Sequence, residues 1–328
     1  MSVFRILLIT SIVFIANSTG FAIDPALLRP FATESSAVSQ SGLNDFEIVY
    51  RGLPSILPRQ SGGMRIWGDF YYANSDVSPQ SAPDYDAKQL GLMIGLDLKR
   101  SNGNVLGIYY HYGNNDFNWN NKEIKGSVNN HQLGISYLKN LPLSHILINA
   151  FGGVDNYGIN CFDIEKINAD GYQGGVYGEF GMDIPFGMFG FKPYLGLHYH
   201  FFDHDQFAFN SRSGWDSENY HGLNNLLGMR VNMKFFQGMF STQFRATWIH
   251  EYMGESPTSL SYFGSIQGCY STPIAWNFEG NTARDWAWIG AGLKFSLGSR
   301  LMVFADYDLM VNSRQTTHIG SLCLCIGW

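Results

Sequence analysis

Apolar and polar residues alternate along most of the chain from Met64 onward, which is the period of a β-strand and not of a helix. In the first segment Met64, Ile66, Phe70 and Tyr72 form one row, and Arg65, Trp67, Asp69 and Tyr71 the other. In the second, Leu90, Leu92, Ile94, Leu96 and Leu98 oppose Gly91, Met93, Gly95 and Asp97. The pattern recurs over Val105 to Tyr112, His131 to Leu138, His145 to Val154, Tyr172 to Ile184, Phe191 to Phe201, Leu223 to Phe235, Phe240 to Tyr252, Asp285 to Leu297 and Leu301 to Val311. It closes with His318 to Trp328, where Leu322, Leu324, Ile326 and Trp328 oppose Ser321, Cys323, Cys325 and Gly327. About twelve strands are predicted, each near the roughly 9 to 11 residues that a tilted membrane strand requires. A soluble domain seldom ends on an uncovered apolar edge, whereas a ring whose last strand meets its first has no edge.

The connections alternate in length. Tight links are expected at Ser101 to Asn104, Asn140 to Pro142, Pro185 to Gly190, Gln237-Gly238 and Gly298-Ser299, and long polar loops at about 73–86, 113–125, 155–170, 202–220 and 253–283. This asymmetry fits an all-β transmembrane barrel of the outer-membrane kind, with antiparallel strands, short periplasmic turns and long external loops.

The charges fall on one row: Arg65, Asp69, Asp97, Glu179, Asp183, Lys192, Arg230, Lys234, Arg245, Glu251, Arg284, Lys294, Asp306 and Asp308. A charge facing lipid costs about 2–4 kcal/mol at the midplane, so this row is expected to face a polar lumen. A soluble sandwich or lipocalin-like barrel would reverse the faces.

Ahead of the alternation, Arg5, the apolar run Ile6 to Ala16 and the small-x-small triplet Gly20-Phe21-Ala22 make residues 1–22 a secretory signal peptide. Residues 23–60 hold Pro25, Pro30, Pro54, Pro58 and a Ser-rich patch, and read as a linker with at most a short lumenal helix about 44–50; the barrel takes 61–328. Beyond the leader there is no apolar run of about 18 residues, the length that a spanning helix needs. Composition agrees: aromatic residues are 16% of the chain, charged residues only 15%, and Gly numbers 37, as alternating lipid-facing and lumen-facing strands require. The net charge of -6 offers no basic footprint for nucleic acid.

From Lys192 to Trp328 the chain resembles the carboxyl-terminal β-domain of autotransporters, the type V secretion family. The matching residues are Pro193-Tyr194-x-Gly196-Leu197-x-Tyr199, Leu227 to Val231, Trp248-x-His250-Glu251-Tyr252, Arg284-Asp285 ahead of Gly290 to Leu293, Tyr307-Asp308, and His318 leading into the aromatic terminus. The resemblance implies a barrel of about twelve strands inserted in the outer membrane of a Gram-negative-type bacterium, with outer-membrane lipids and the barrel-assembly machinery as partners. It also implies structural or assembly roles for Trp248, Glu251, Arg284, Asp285, Tyr307 and Trp328. Between Ala22 and Met64 there is no room for a folded passenger, so the expected role is a structural or surface-interaction protein, or a translocator of a short amino-terminal segment, with surface ligands met through the external loops. A passive pore and a rim-site hydrolase are the alternatives.

Candidate chemistry is sparse. Phe202-Asp203-His204-Asp205 puts two carboxylates beside an imidazole at the expected outer rim, either a rim hydrolase or a solvated loop. His198 and His200 below it are lumen-filling residues or a two-ligand metal site. Ser241 and Ser296 lie in no Gly-x-Ser-x-Gly turn, and there is no phosphate-binding loop and no dinucleotide fingerprint. No catalysis and no metal or organic cofactor is expected. Cys161 and Cys269 fall in different external loops in an oxidising compartment and could be bridged, while Cys323 and Cys325 share the inward row as small fillers.

Overall fold

The structure is a computed structural model that describes residues 63–78, 84–119, 124–161, 165–204, 207–210, 213–215, 218–253, 258–263, 274–279, 283–298 and 300–328. The segments read as a leader and as a linker with at most a short helix lie outside the described residues, as do Cys269 and the Cys161 side chain.

Twelve strands build the barrel, numbered here β1 to β12: Gly63–Val77, Tyr85–Lys99, Val105–Trp119, Ile124–Asn140, Ser144–Cys161, Glu165–Met182, Phe189–His204, Glu218–Phe235, Phe240–Glu251, Asp285–Leu297, Leu301–Val311 and Gln315–Gly327. Each pairs antiparallel with its neighbours, and β12 pairs with β1, so the ring is closed. The seam runs from Arg65↔Gly327 to Val77↔Gln315 and is finished by two backbone bonds between Met64 and Trp328, each 3.0 Å. No free edge remains in the ring, as a bilayer demands.

The pattern of exposure is the predicted one across the middle of every strand. On β1, Trp67 is 3% exposed and Ile66 47%, and the same alternation carries Leu90, Leu92, Ile94, Leu195, Leu197, Leu293, Leu322, Leu324 and Ile326 to the outside. An apolar belt that encircles the molecule is far larger than a soluble surface tolerates and is covered by hydrocarbon.

At one end the turns are tight, as expected: Gly238 (φ 89°) and Gly298 (φ 70°) take the left-handed conformation that side chains disfavour. The third link differs slightly, since Ile184–Phe186 first pairs with the start of β7. At the other end the strands outrun the prediction. The expected loop 155–170 is mostly ladder, continuous from Asp155↔Gly171 to Cys161↔Glu165. Above the belt the alternation inverts, with Tyr157 and Ala169 inward and Asn156, Asn168 and Asp170 outward, so the lipid-facing pattern stops there, yet backbone pairing needs no lipid. One link at this end is short: Asn312 Oδ1 accepts from the Arg314 and Gln315 N–H groups, each 2.7 Å, and turns β11 straight into β12.

The inward row is less uniformly polar than the sequence implied. Val105, Leu138 and Leu147 are buried near the turn end. Above the belt Val77, Tyr85, Phe117, Val128 and Tyr157 point in while Asp76, Asp86, Asp116, Asn118 and Asn156 point out. Once outside lipid a barrel wall meets water on its outer face, so the faces exchange their preference. Two loops also fold: Phe207–Asn210 and Ser213–Trp215, between β7 and β8, join Thr258–Phe263 and Ile274–Glu279, between β9 and β10, in a second antiparallel sheet of four strands.

Candidate functional site

Side chains of the inward row reach sideways along the wall because glycines give them room. Trp67 lies over Gly95 and Tyr71 over Gly91, both on β2; Tyr109 lies over Gly134 on β4, and Tyr194 over Gly228 on β8. A Cβ at any of these glycines would collide with the ring. Each aromatic is thereby laid flat against the next strand. Gly91→Val is expected to destabilise the barrel by about 1–3 kcal/mol by driving Tyr71 off its seat, read as a lowered urea midpoint in lipid vesicles. Tyr71 also accepts from Gln89 Nε2 at 2.7 Å and bonds His111 Nε2 at 2.9 Å, so its displacement undoes a polar network.

The ionised groups use the same arrangement. Arg65 pairs with Asp97 on the adjacent strand. Arg230 on β8 reaches across β7 to Glu179 on β6 with two bonds of 3.0 and 3.1 Å, its guanidinium 3.6 Å above the Tyr194 ring. Glu179 also takes the Tyr177 hydroxyl at 2.7 Å and His145 Nε2 at 2.9 Å. On the far wall Arg245 on β9 crosses β10 to Asp306 (2.6 Å) and Asp308 (2.8 Å) on β11, over Gly290 and Gly292. Two clusters, each joining arginine to carboxylate, therefore run around the circumference and tie strands that are not hydrogen-bonded to each other. In the turn below, Asp183 meets Lys192 at 2.5 Å and His145 at 3.3 Å. Burial pushes the Asp183 carboxyl up, but the bonds from His145 and Lys192 outweigh it and hold the group down at about 2.

This lining carries the inward charges read from the sequence, with two departures. Arg284 sits at the loop end and is exposed, and Lys234 is exposed at the opposite mouth. Of the residues given structural or assembly roles, Glu251 is buried while Trp248, Asp285, Tyr307 and Trp328 lie on the outer face. Three features bring several of them together. Trp248 Nε1 donates to Asp285 Oδ1 at 3.1 Å, His250 Nδ1 meets the same oxygen at 2.9 Å, and the Glu251 N–H donates to the Arg284 carbonyl at 2.9 Å. The Tyr307 hydroxyl bonds His318 Nδ1 at 2.6 Å, linking β11 to β12.

Of the rim motif, Phe202 is buried and Asp203 half-buried, while the His204 side chain and Asp205 lie outside the described residues. His198 and His200 do point inward, stacked with ring centres 5.1 Å apart. Among the described residues no three His, Cys, Asp or Glu side chains gather into a metal cage. The strand-crossing clusters and the roles of Tyr177, Tyr194 and His145 escaped the sequence reading. Their only signal was the recurrence of glycine on inward rows beside aromatic or charged rows.

A family model described as "Autotransporter beta-domain" matches residues 66–308. Among solved structures, the translocator domain of the autotransporter NalP from Neisseria meningitidis is similar with a TM-score of 0.71 at 12% identity, over 93% of this chain and 99% of that one. The transport unit of AIDA-I from Escherichia coli gives 0.60 at 14% identity, over 81% and 90%. The β-domain of the Bordetella autotransporter Brka gives 0.60 at 17%, over 81% and 99%. At such identities the likeness is one of fold. No curated protein matches the chain.

Proposed function

The chain belongs to the autotransporter beta-domain family, and from that premise we propose that it is an outer-membrane barrel of a Gram-negative-type bacterium whose own external loops act as a surface-interaction platform. Translocation, in this reading, is limited to the short segment ahead of β1. Outer-membrane lipids cover the apolar belt, and the barrel-assembly machinery reads the terminal strand. The family supplies a translocator domain, not a catalyst, and the lumen is read accordingly as structural.

One observation carries the proposal: two separate loops pair strand to strand, Ser213↔Phe263 to Trp215↔Ser261, into a four-stranded sheet on the external side. A loop that merely closes a hairpin needs no such partner. Sheet pairing fixes backbone that would otherwise cost about 1–2 kcal/mol per residue to order, which preorganises a surface for a ligand. Replacing Thr258 to Glu279 by a short Gly-Ser linker is expected to leave heat-modifiable gel mobility of the membrane-fraction protein intact while abolishing adhesion of the cells to host or abiotic surfaces. Unchanged adhesion defeats the platform reading. Protease shaving of intact cells reports separately on the segment ahead of β1: cleavage within 23–51 is the expected result, and full protection rules out its export.

A further inference from the structure

We propose that Cys323, Cys325 and Met302 form a site for a soft monovalent metal ion, Cu(I), on the lumen wall near the periplasmic end. Cys323 and Cys325 are free thiols, 4% and 0% exposed, with their sulfurs 3.5 Å apart. They are neighbours on the inward row of β12, and Met302 on β11 stands opposite Cys325 on the same face, itself buried. Opposite residues in an antiparallel pair hold their Cβ atoms about 4.5–5.5 Å apart, so a thioether there is within reach of the thiol pair. The third side of the wall is β1, with Trp67 opposite Cys325 and Asp69 opposite Cys323.

The alternative for two thiols in an oxidising compartment is a disulfide, and strand geometry opposes it. Residues two apart on a strand span about 6.4–6.8 Å between Cα atoms, the far end of the range in which a disulfide forms. The two sulfurs stand unbridged, 3.5 Å apart. Two thiols and a thioether are the ligand set that soft cations select, whereas carboxylate and imidazole suit harder ones. Asp69 does not complete such a harder set, since no three His, Cys, Asp or Glu groups converge among the described residues. On binding, two Cu–S bonds form, both thiol protons leave to water, the thioether adds a neutral ligand, and no atom changes oxidation state. The resulting cluster carries one negative charge. Arg65, paired with Asp97, lies two residues from Trp67 on the same inward row of β1, and the Lys294 ammonium sits 5.6 Å from the ring of Phe304, the residue opposite Cys323; these cations offset that charge against the Asp69 carboxylate opposite Cys323. A small open pocket lined by Lys294, Phe304 and Asp306 lies beside the site, Phe304 being the residue opposite Cys323.

The test uses the full chain folded into lipid vesicles, carrying Cys161→Ser and Cys269→Ser so that only the lumen thiols remain. Under anaerobic reduction it is titrated with Cu(I) against bicinchoninate, a chromogenic chelator. One Cu(I) retained per chain, with both thiols shielded from maleimide, is expected, and this arm needs no variant at the site. Retention is expected to fall at least a hundredfold in Cys323→Ser and Cys325→Ser and about tenfold in Met302→Leu. The proposal is overturned if the background chain surrenders all its Cu(I) to the chelator, if the Ser variants retain it unchanged, or if non-reducing peptide mapping of the isolated protein finds Cys323 and Cys325 bridged to each other.

Discussion

Arg230→Ala is expected to lower the stability of the folded barrel by about 3–5 kcal/mol, the largest loss of any single lumen substitution, measured by guanidinium unfolding in lipid vesicles with tryptophan fluorescence. The magnitude follows from what is left behind. Arg230 and Glu179 have side chains 1% and 0% exposed. Removing the guanidinium leaves a buried carboxylate held only by the Tyr177 hydroxyl and His145. A solvated pair would behave otherwise, since exposed ion pairs contribute only about 0–1 kcal/mol. The size of the loss therefore decides whether this part of the lumen is dry or wet. Replacing both partners, Arg230→Met with Glu179→Met, removes the charge and its counter-charge together and is expected to recover most of the loss, because an apolar pair of similar volume is often neutral in place of a buried ion pair. A single-variant loss below about 1 kcal/mol would mean that water reaches the pair.

That cluster was only half legible in the sequence. The face of each charge was readable, because alternation has an exact period of two and the cost of a lipid-facing charge forces segregation. Which charge meets which was not. Arg230 and Glu179 are 51 residues apart and sit on strands separated by β7, so their meeting depends on what β7 puts between them: Gly196 opposite Glu179, and a Tyr194 ring laid flat over Gly228 for the guanidinium to cross. The same holds for Arg245 and Asp308, 63 residues apart, which meet only because Gly290 leaves the space. Strand number, order of tight turns and the lipid face were carried by local pattern and came through. Strand length was not, because the pattern records where lipid ends and not where pairing ends. The pairing of Ser213–Trp215 with Thr258–Phe263 joins two loops far apart in sequence, and a run as short as Ser259-Leu260-Ser261-Tyr262 does not say which strand it meets. The assembly residues inferred from family resemblance divide similarly: Trp248, His250 and Asp285 are close in space because β9 and β10 are in register at His250↔Asp285. Tyr307 finds His318 across the β11–β12 pair, a contact between outer-face residues that neither strand shows alone.

Trp328→Ala and removal of residue 328 are expected to part company in a purified system and to agree in cells. The Trp328 side chain is 55% exposed on the outer face, so its truncation leaves the backbone seam with Met64 in place. Surface substitutions usually change stability by about 0.5 kcal/mol, and the alanine variant folded into vesicles is expected to stay near that figure. Deleting the residue also removes two seam hydrogen bonds, each with a net contribution of about 0.5–1.5 kcal/mol, so the truncated chain is expected to lose about 1–3 kcal/mol. If the terminal aromatic is what the assembly machinery grips, both variants fall at least tenfold in outer-membrane level in cells, a drop that the small stability change of the alanine variant does not account for. The heat-modifiable band in the membrane fraction measures it. Normal insertion of Trp328→Ala, alongside a shortfall for the deletion, would instead assign the whole effect to ring closure, with the indole playing no part in recognition.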